Sequence, residues 1–448
     1  MPKKATGLAL VVTIALLASG CATGGGPGAP ALGSKGARGP LTKGPEAVLM
    51  NALDNLANDG IRGLGWAVAT SGDGMESIVT RPYIKGGSGS GLYSLAAAWV
   101  FEDGDDENSA ANFYLDDAES TLYGGSCAMS QDGSFVVIGM PGLARNRTCG
   151  IYGYIAKSSG WKQGDKPVDQ YPPILSLSGA PGSSFGFSVA VSGTGNTVVV
   201  GAPTEGDIGL VHYYLAPAGG WRKVGKEVST GQLGAGKPSK GAEFGHSVAI
   251  SRDDTVIAIG APGDLEGRGA VYVFRKPNKG GWPAVTDLLK VTLNDGKPGD
   301  RFGESVSINR DGSLIAVGAD GRNSGGGAVF CVKYDWIADD CTTVKISGDS
   351  DLKGLGLSVA ISADGKTIAS GGYGSARGGG VSIYRTKSGS WDDPSNIDNL
   401  TPKDGSKDML GGFMGFSVAL VDDGSWVLMG IPGYKLGSGE YYWIQIDK

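Results

Sequence analysis

Apolar and polar positions recur in a fixed order seven times along the chain. The order is clearest over Phe244–Phe274, where the segments FGHSVAIS, DD, TVIAIGAP and GAVYVF follow one another. Residues 247–251 alternate small polar with apolar side chains, which predicts a strand that another backbone approaches closely. Residues 255–261 are almost continuously apolar, as expected for a strand buried on both faces. The pattern therefore predicts short antiparallel strands joined by tight turns.

One glycine marks each copy, and we call it the anchor. A large apolar residue precedes each anchor, and neighbouring anchors lie 53 to 62 residues apart: Gly65, Gly124, Gly186, Gly245, Gly303, Gly356 and Gly415. Positions are counted below from the anchor. A second glycine occupies +15 in six copies, and Thr80 takes its place in the first. Such self-similarity is typical of a repeat architecture rather than of several unrelated domains.

The turns and the outer part of each copy repeat as well. An aspartate lies at +8 in six copies, usually before glycine, and predicts a hairpin turn between the first two strands: Asp73, Asp132, Asp253, Asp311, Asp364 and Asp423. A third strand follows a Gly-rich loop and leads to a fourth, more polar strand. A tryptophan accompanies this connection in six copies: Trp99, Trp161, Trp221, Trp282, Trp336 and Trp391. We expect these tryptophans to pack at the outer hairpin rather than to stack against sugars, because a position that most copies share serves shared architecture.

The repeats predict an all-β fold, a seven-bladed β-propeller of four-stranded antiparallel blades with a period of about 60 residues. One such sheet cannot cover both of its apolar faces, so the copies stack and close into a ring over residues 47–448. The last copy ends soon after its third strand, whereas Val48–Leu53 precede the first anchor at the spacing of an outer strand. We therefore expect the N-terminal strand to complete the last blade and to remove an open seam.

The first 46 residues have a different character. Residues 1–20 place Lys3 and Lys4 ahead of a ten-residue apolar core and small residues before Cys21, which is the pattern of a lipoprotein signal peptide. We expect lipidation of Cys21 as the first mature residue; ordinary cleavage near Ala22 is the alternative. Residues 21–46 are Gly/Pro-rich and predict a linker. The chain is then exported to the cell envelope and tethered to a membrane by a lipid anchor, or secreted.

The composition of the chain excludes several kinds of binding and catalytic site. The 448 residues include 80 glycines, carry a net charge of -6 and contain two histidines, His212 and His246. The acidic balance disfavours nucleic-acid binding, and two histidines exclude a His-rich metal centre or a triad in several copies. His246 lies at +1, a position that Trp66, Phe187, Glu304, Leu357 and Phe416 hold in other copies. This varied occupancy favours structural variation over catalysis, and we expect no cofactor.

The repeat resembles the FG-GAP family, found in the propeller of integrin alpha chains. The resemblance rests on Phe185-Gly186 to Ala202-Pro203 and Phe244-Gly245 to Ala261-Pro262. It implies surface binding and adhesion and, in many members, a calcium ion in the loop between the first two strands. The turns of this chain offer one or two carboxylates, whereas calcium takes roughly 6 to 8 oxygen ligands. We therefore expect no metal in these turns.

Four cysteines remain if Cys21 is acylated, an even number that suits an oxidising compartment. Cys331 ends a third strand and Cys341 begins the next, so we expect them to face each other and form a disulfide. Pairing of Cys127 with Cys149 is a weaker expectation, because a strand separates them and a loop must fold back.

The copies differ most in the loops between their second and third strands. Strand direction places these loops on the rim opposite the Asp-Gly turns, and we predict a binding face there: Arg145, Arg147, Asp264, Arg268, Asp320, Arg322, Tyr373, Arg377 and Tyr434. Neutral drift of surface loops is the alternative.

Two hypotheses for function follow. The first is a monomeric, non-enzymatic, surface-tethered interaction module that binds a protein or a glycan. The second is a hydrolase or lyase that acts on extracellular polysaccharide. The inner strands present Ser, Ala and Gly rather than clustered carboxylates, which favours binding.

Overall fold

The computed structural model describes eighteen segments of the chain, and the account below is confined to them. They are residues 49–50, 63–82, 97–102, 110–114, 122–142, 148–161, 173–223, 229–234, 238–277, 282, 288–335, 340–346, 352–372, 378–386, 390–392, 395–400, 413–433 and 439–446. Cys21 and the predicted signal peptide and linker lie outside them. No helix within these segments has the length and apolar character needed to cross a bilayer.

The described strands form seven four-stranded antiparallel sheets, which confirms the predicted β-propeller. Blade 1 contains β2 (Val68–Thr70), β3 (Glu76–Arg81), β4 (Ala97–Glu102) and β5 (Ala111–Tyr114). Blade 2 contains β6 (Ser126–Met129), β7 (Phe135–Met140), β8 (Gly150–Ile155) and β9 (Leu175–Ser178). Blade 3 contains β10 (Ser188–Val191), β11 (Thr197–Ala202), β12 (Leu210–Leu215) and β13 (Ser229–Leu233), with a 3-10 turn at Trp221–Lys223.

The remaining blades follow the same order. Blade 4 contains β14 (Ser247–Ile250), β15 (Val256–Ala261), β16 (Ala270–Arg275) and β17 (Leu288–Val291). Blade 5 contains β18 (Val306–Ile308), β19 (Leu314–Gly318), β20 (Val329–Asp335) and β21 (Asp340–Ile346). Blade 6 contains β22 (Ser358–Ile361), β23 (Thr367–Gly372), β24 (Gly380–Arg385) and β25 (Ser395–Leu400). Blade 7 contains β26 (Ser417–Leu420), β27 (Trp426–Ile431) and β28 (Glu440–Gln445). Two four-residue helical turns, α1 (Asp264–Gly267) and α2 (Arg322–Gly325), follow β15 and β19.

The N-terminal strand β1 (Leu49–Met50) supplies the fourth strand of blade 7. It pairs antiparallel with β28, with Leu49 opposite Tyr442 and Met50 opposite Tyr441. This is the position at which the spacing of the last copy called for an outer strand. The sheet of blade 7 thus joins the beginning of the described chain to its end.

Apolar cores lie between neighbouring blades. Seven clusters of buried side chains each combine residues of two adjacent blades, and one of them brings Leu64 and Trp99 of blade 1 against Leu428 and Trp443 of blade 7. The second strands are buried on both faces, as predicted. Stacking of copies, rather than one central core, therefore accounts for most apolar burial.

A belt of hydrogen bonds joins all seven blades. The hydroxyl at +2 donates to the carbonyl oxygen of the next anchor in blades 2 to 7, over 2.7 to 2.9 Å: Ser126 to Gly186, Ser188 to Gly245, Ser247 to Gly303, Ser305 to Gly356, Ser358 to Gly415, and Ser417 to Gly65. The last of these closes the ring. A Cβ on the +15 glycine would meet this oxygen at 1.7 to 2.2 Å, so the position has no room for a side chain.

Blade 1 closes the belt with a different pair of residues. Ala67 occupies +2 and has no hydroxyl, whereas Thr80 occupies +15 and donates its Oγ1 proton to the Gly124 carbonyl over 2.7 Å. Thr80 Oγ1 also accepts from Ala67 N at 3.1 Å. The apparent exception at Thr80 is therefore a compensated exchange, because the hydroxyl has moved from the first strand to the second.

Three of the periodic tryptophans hold the Asp-Gly turn of their own blade. Trp161, Trp221 and Trp391 donate their indole N–H to the carbonyl oxygens of Gly133, Gly195 and Gly365, over 2.6 to 2.9 Å. All three are buried, in agreement with the architectural interpretation. Trp99 differs, because it lies inside β4 rather than after it, and Trp336 lies outside the described residues.

The cysteines depart from the expected pairing, and all four described cysteines are free. Cys331 lies opposite Val344, and Cys341 lies opposite Tyr334. Since side chains alternate between the faces of a sheet, the two thiols point into different inter-blade cores. Cys127 and Cys149 are separated in the same way, one in the core of blades 1 and 2 and the other in that of blades 2 and 3.

Candidate functional site

The propeller has two rims, and different parts of each repeat lie at them. We call the side with the Asp-Gly turns the turn rim and the opposite side the anchor rim. In blades 4 to 7 the described end of the loop between the second and third strands bridges to the residue before the next anchor: Gly269 to Phe302, Gly327 to Leu355, Gly379 to Met414, and Gly439 to Leu64. These loop ends and the anchors therefore share one rim, as the strand directions predicted.

A central channel runs between the rims, with a cavity volume of about 220 Å³. Side chains from the inner strands of all seven blades line it, mostly Val, Ala and Ile. Each inner strand is an edge strand of its sheet, so unpaired backbone N–H and C=O groups also face the channel. Among its described lining residues Arg252 is the only charged one.

Residues at +7 close the channel at the turn rim. Asp422 lies in the middle of this plug, with Arg252 Nη2 at 2.5 Å from its Oδ1, Arg310 Nη2 at 3.1 Å from its Oδ2, and Gln131 Nε2 donating to Oδ2 over 2.8 Å. Main-chain hydrogen bonds link the +7 residues around the ring, among them Gly72 to Gln131 at 2.8 Å and Asp422 to Gly72 at 2.8 Å. Gly72, the +7 residue of blade 1, leaves room for the carboxylate of Asp422, since a Cβ on this glycine would lie 2.8 Å from Asp422 Oδ2.

Residues at +1 surround the mouth of the channel at the anchor rim, because they directly precede the inner strands. Their side chains contact one another across blade boundaries. The rings of Phe416 and Trp66 lie 4.7 Å apart across blades 7 and 1, and those of Phe187 and His246 lie 4.8 Å apart across blades 3 and 4. Each anchor glycine has a positive φ between 82° and 95° within a turn that ends at +1, a conformation that other residues adopt at a cost.

Blades 4 and 5 give the mouth a charged sector. His246 Nε2 lies 3.4 Å from Glu304 Oε1, and its Nδ1 lies 3.7 Å from Glu243 Oε2. Arg301 pairs with Glu304 and, through Nε at 3.2 Å, with Asp320 Oδ1. Burial acts to raise the pKa of Glu304, but the hydrogen bond of His246 and the charge of Arg301 hold it below its usual value. Burial and the nearby Glu304 raise the pKa of Asp320.

The aspartates at +8 stabilise the turns of the turn rim through hydrogen bonds. Each of the six at +8 accepts a hydrogen bond from the backbone N–H two residues ahead, over 2.9 to 3.2 Å: Asp73, Asp132, Asp253, Asp311, Asp364 and Asp423. Serine hydroxyls two residues earlier add a second bond in four of them, at 2.6 to 2.8 Å. Within the described residues no group of three metal-ligating side chains occurs.

Asp264, which we predicted on the binding face, is fully buried and holds its loop together. Its Oδ1 accepts from Ser239 N and Oγ at 2.9 and 2.7 Å, and its Oδ2 accepts from Tyr272 OH at 2.5 Å and Lys290 Nζ at 2.8 Å. Burial opposes ionisation, but Lys290, Tyr272 and Ser239 lower the pKa of Asp264 to about 2. Its prediction as a contact residue was wrong, because a carboxylate with this many internal partners does not face solvent.

The position of blade 5 that is equivalent to Asp264 carries the opposite charge. Arg322 occupies the position of Asp264 and donates to Asp300 Oδ2 over 2.6 Å and to Asp295 Oδ2 over 2.5 Å, above the ring of Phe330. Arg322 and Asp320 are both buried, so neither forms part of an exposed face. Arg268 is exposed on the anchor rim. The other predicted contacts lie outside the described residues: Arg145, Arg147, Tyr373, Arg377 and Tyr434.

The ring of +1 residues was not recognised from sequence as a site. Its signal was present: a position between the constant anchor and the +2 serine changes identity in almost every copy. From the sequence alone, this variation favours a structural role. The structure brings the +1 side chains together at the mouth, where Phe187 is 40% exposed.

Comparison with known proteins agrees with the fold. A family model described as "FG-GAP repeat" matches residues 229–274 and 285–332, which run from the outer strand of one blade through three strands of the next. No curated protein sequence matches the chain.

Solved structures match at low identity. A putative 6-phosphogluconolactonase from Bacteroides fragilis is 15% identical, with a TM-score of 0.47, covering 79% of this chain and 87% of that one. Chaetomium thermophilum Sqt1 bound to the N-terminus of ribosomal protein L10 is 14% identical, with a TM-score of 0.45, covering 83% of each chain. Kluyveromyces lactis Hsv2 is 10% identical, with a TM-score of 0.49, covering 86% of this chain and 98% of that one. These likenesses carry no argument about activity.

The matched repeats, the seven sheets and the belt that closes on Gly65 lead to one conclusion. The chain is a seven-bladed β-propeller that contains FG-GAP repeats.

Proposed function

We propose that this chain is an exported, surface-tethered interaction module that binds a protein or a glycan at its anchor rim without catalysing a reaction. The observation that carries the proposal is the variety of side chains at the mouth of the channel. The anchor, +2 and +15 positions are nearly constant around the ring, whereas the +1 position presents aromatic rings, His246 and Glu304 next to exposed Phe187. Exposed aromatic side chains on a rigid scaffold are typical of recognition surfaces.

Export and tethering are supported by the sequence of residues 1–46. The signal-peptide pattern ends at Cys21, and a Gly/Pro-rich linker follows it. Metabolic labelling with a fatty acid tests the anchor: the chain incorporates the label, and Cys21→Ser abolishes incorporation. A labelled Cys21→Ser variant would contradict lipidation at that residue.

A pair of matched triple variants tests the binding face. The anchor-rim variant carries Phe187→Ser, Glu243→Gln and Arg268→Gln, and the turn-rim variant carries Met75→Ser, Asp364→Asn and Lys366→Gln. Each removes one exposed apolar side chain, one acid and one base. Capture from cell-envelope extract and binding to a glycan array are measured for both. The anchor-rim variant loses partners that the turn-rim variant keeps; the reverse result refutes the assignment of faces.

A polysaccharide-acting enzyme is the second candidate, and one observation favours it. Arg301 pairs with Glu304 at the mouth and with the buried Asp320 behind it, and the pKa values of the two carboxyl groups are shifted in opposite directions. Carboxyl pairs of this kind serve as acid and base in glycoside hydrolysis. A screen for cleavage of envelope polysaccharides, repeated with Glu304→Gln, decides between binding and turnover.

A further inference from the structure

We infer that the contact between His246 and Glu304 is a proton-operated clasp between blades 4 and 5 at the channel mouth. The clasp is closed when the imidazole of His246 carries a proton, and it loosens when the imidazole is neutral. The inference deepens the proposed function, because the clasp regulates the same mouth, and it rests on that function only for its effect on binding.

Two turns of the same shape place the clasp residues. In blade 4 the His246 N–H donates to the Glu243 carbonyl oxygen over 2.9 Å, and in blade 5 the Glu304 N–H donates to the Arg301 carbonyl oxygen over 3.0 Å. Glu243 and Arg301 have φ values of 57° and 58°, a left-handed conformation that residues other than glycine seldom adopt. The two turns therefore present four ionisable side chains on the two sides of one blade boundary.

The charges of this sector do not balance. Glu243, Glu304 and Asp320 supply three carboxylates, and Arg301 pairs with the last two of them. His246 Nε2 lies 3.4 Å from Glu304 Oε1, and its Nδ1 lies 3.7 Å from Glu243 Oε2. Three carboxylates and one guanidinium leave two negative charges when His246 is neutral and one when it is protonated. Because the Glu304 side chain is only 8% exposed, water screens this excess poorly and a proton on His246 relieves it.

Histidine is the type of side chain that ordinarily changes charge between pH 5 and pH 8. Burial acts to raise the pKa of Glu304, but His246 and Arg301 hold it below its usual value. Burial acts to lower the pKa of Arg301, but Glu304 and Asp320 raise it. Asp320 is the exception, since burial and Glu304 raise its pKa, so the test separates Asp320 from His246.

The clasp lies next to the exposed aromatic side chain of the mouth. The rings of His246 and Phe187 are 4.8 Å apart, so Phe187 packs against a cation at low pH and against a neutral ring at higher pH. Glu243, whose side chain is 43% exposed, loses its charged neighbour at the same time. The proton therefore changes both the charge and the packing of the surface that we propose for binding.

The test follows the two histidines of the chain by NMR, because each has its own glutamate. His212 Nε2 lies 2.8 Å from Glu205 Oε2 and provides the matched control. In the purified chain labelled with ¹³Cε1-histidine, we expect Glu304→Gln to lower the titration midpoint of His246 by about half a pH unit or more and to leave that of His212 unchanged. Glu205→Gln gives the reverse, and Asp320→Asn moves the His246 midpoint less than Glu304→Gln does.

A double-mutant cycle measures whether the contact joins the blades. Melting temperatures of wild type, His246→Gln, Glu304→Gln and the double variant should give a coupling of about 1 °C at pH 5.5 that falls by at least half at pH 7.5. The coupling falls in this direction because the attraction needs the proton, which is lost as pH rises. The coupling of Arg301→Gln with Glu304→Gln stays equal at the two pH values, since neither group changes charge between them.

A His246 midpoint that Glu304→Gln does not move overturns the inference, and so does a His246–Glu304 coupling that is equal at both pH values. Loss of the pH dependence when the cycle is repeated in Asp320→Asn also overturns it, in favour of Asp320. If Glu304→Gln does not fold, Glu304→Asp replaces it, because it withdraws the charge from His246, with a smaller shift in the same direction. Capture by the matched rim variants remains a separate measurement, so the clasp can fail while the interaction module stands.

Discussion

Two sets of positions lie side by side in every repeat and behave in opposite ways. The anchor, +2 and +15 form the hydrogen-bonded belt, and +1 forms the mouth. In the belt, Ala67 departs from the pattern, but Thr80 departs in the matching way and the bond is kept. At the mouth, seven copies show six residue types: Trp66, Gly125, Phe187, His246, Glu304, Leu357 and Phe416.

The difference separates architecture from recognition inside a single chain. A belt residue faces the same neighbour in every blade, so the same chemistry is needed each time. A mouth residue faces its neighbours on the ring and the channel entrance, which need no common chemistry. Substitutions in the belt should therefore change stability, whereas substitutions at the mouth should change binding.

The largest effect is expected in the belt, at a +15 glycine. In Gly318→Ala the added Cβ would lie 1.8 Å from the Gly356 carbonyl oxygen and 2.4 Å from Ser305 Oγ. The blades must separate or lose the Ser305 bond, and we expect a loss of about 3 kcal/mol in the free energy of unfolding. Chemical denaturation measures it; a loss below about 1 kcal/mol would show that the blades do not meet as closely as described.

A second effect should appear in the loop that Asp264 organises. Asp264→Asn keeps the size of the side chain but weakens its bonds to Lys290 and Ser239, and we expect a loss of about 2 kcal/mol at neutral pH. The pKa of about 2 lies below the ordinary value of 3.8, so the carboxylate contributes stability above pH 4. That contribution is lost as pH falls from 4 towards 2.

The same experiment has a control two residues further along the chain. Glu266→Gln removes an exposed carboxylate of the same helical turn α1, and its effect should stay below about 0.5 kcal/mol. Denaturation curves of wild type and Asp264→Asn should converge between pH 4 and pH 2. Parallel curves over that range would contradict the assigned partners of Asp264.

The exchange of Ala67 and Thr80 in blade 1 predicts a smaller effect on stability, and this effect tests directly whether the two positions compensate each other. Thr80→Gly removes the hydroxyl that bonds Gly124, at a cost of about 1 to 2 kcal/mol. Ala67→Ser alone adds a hydroxyl beside Thr80, where other blades have only a glycine, and should also destabilise. The double variant restores the arrangement of blades 2 to 7, and its stability should approach that of wild type. Additive losses would show that the two positions are independent.

Much of the architecture was predictable because it repeats. Spacing of the anchors gave seven blades, and the missing outer strand of the last copy indicated where β1 pairs. Disulfides were not predictable in the same way: the register that sets Cys331 against Val344 depends on the hairpin between β20 and β21. A shift of one residue moves a side chain to the other face of the sheet.

The site was less predictable because charge alone does not tell a buried residue from an exposed one. Asp264 and Arg322 stand in equivalent loops with opposite charge, which resembles variation for recognition. Each instead satisfies partners from its own neighbourhood, Ser239 and Lys290 for the aspartate and Asp295 and Asp300 for the arginine. Their partners lie 22 to 27 residues away in sequence, which local pattern does not reveal.

The smallest effect on stability is expected at the mouth, with Phe187→Ala. The side chain is 40% exposed and makes its ring contact with His246 at the surface, so we expect a loss of about 0.5 kcal/mol. Capture of partners from cell-envelope extract should nevertheless fall, because the variant removes the exposed aromatic side chain of the mouth. Thermal unfolding and capture with the same preparation compare the two effects. A large loss of stability would give +1 the same structural role as the belt, and unchanged capture would remove Phe187 from the binding face.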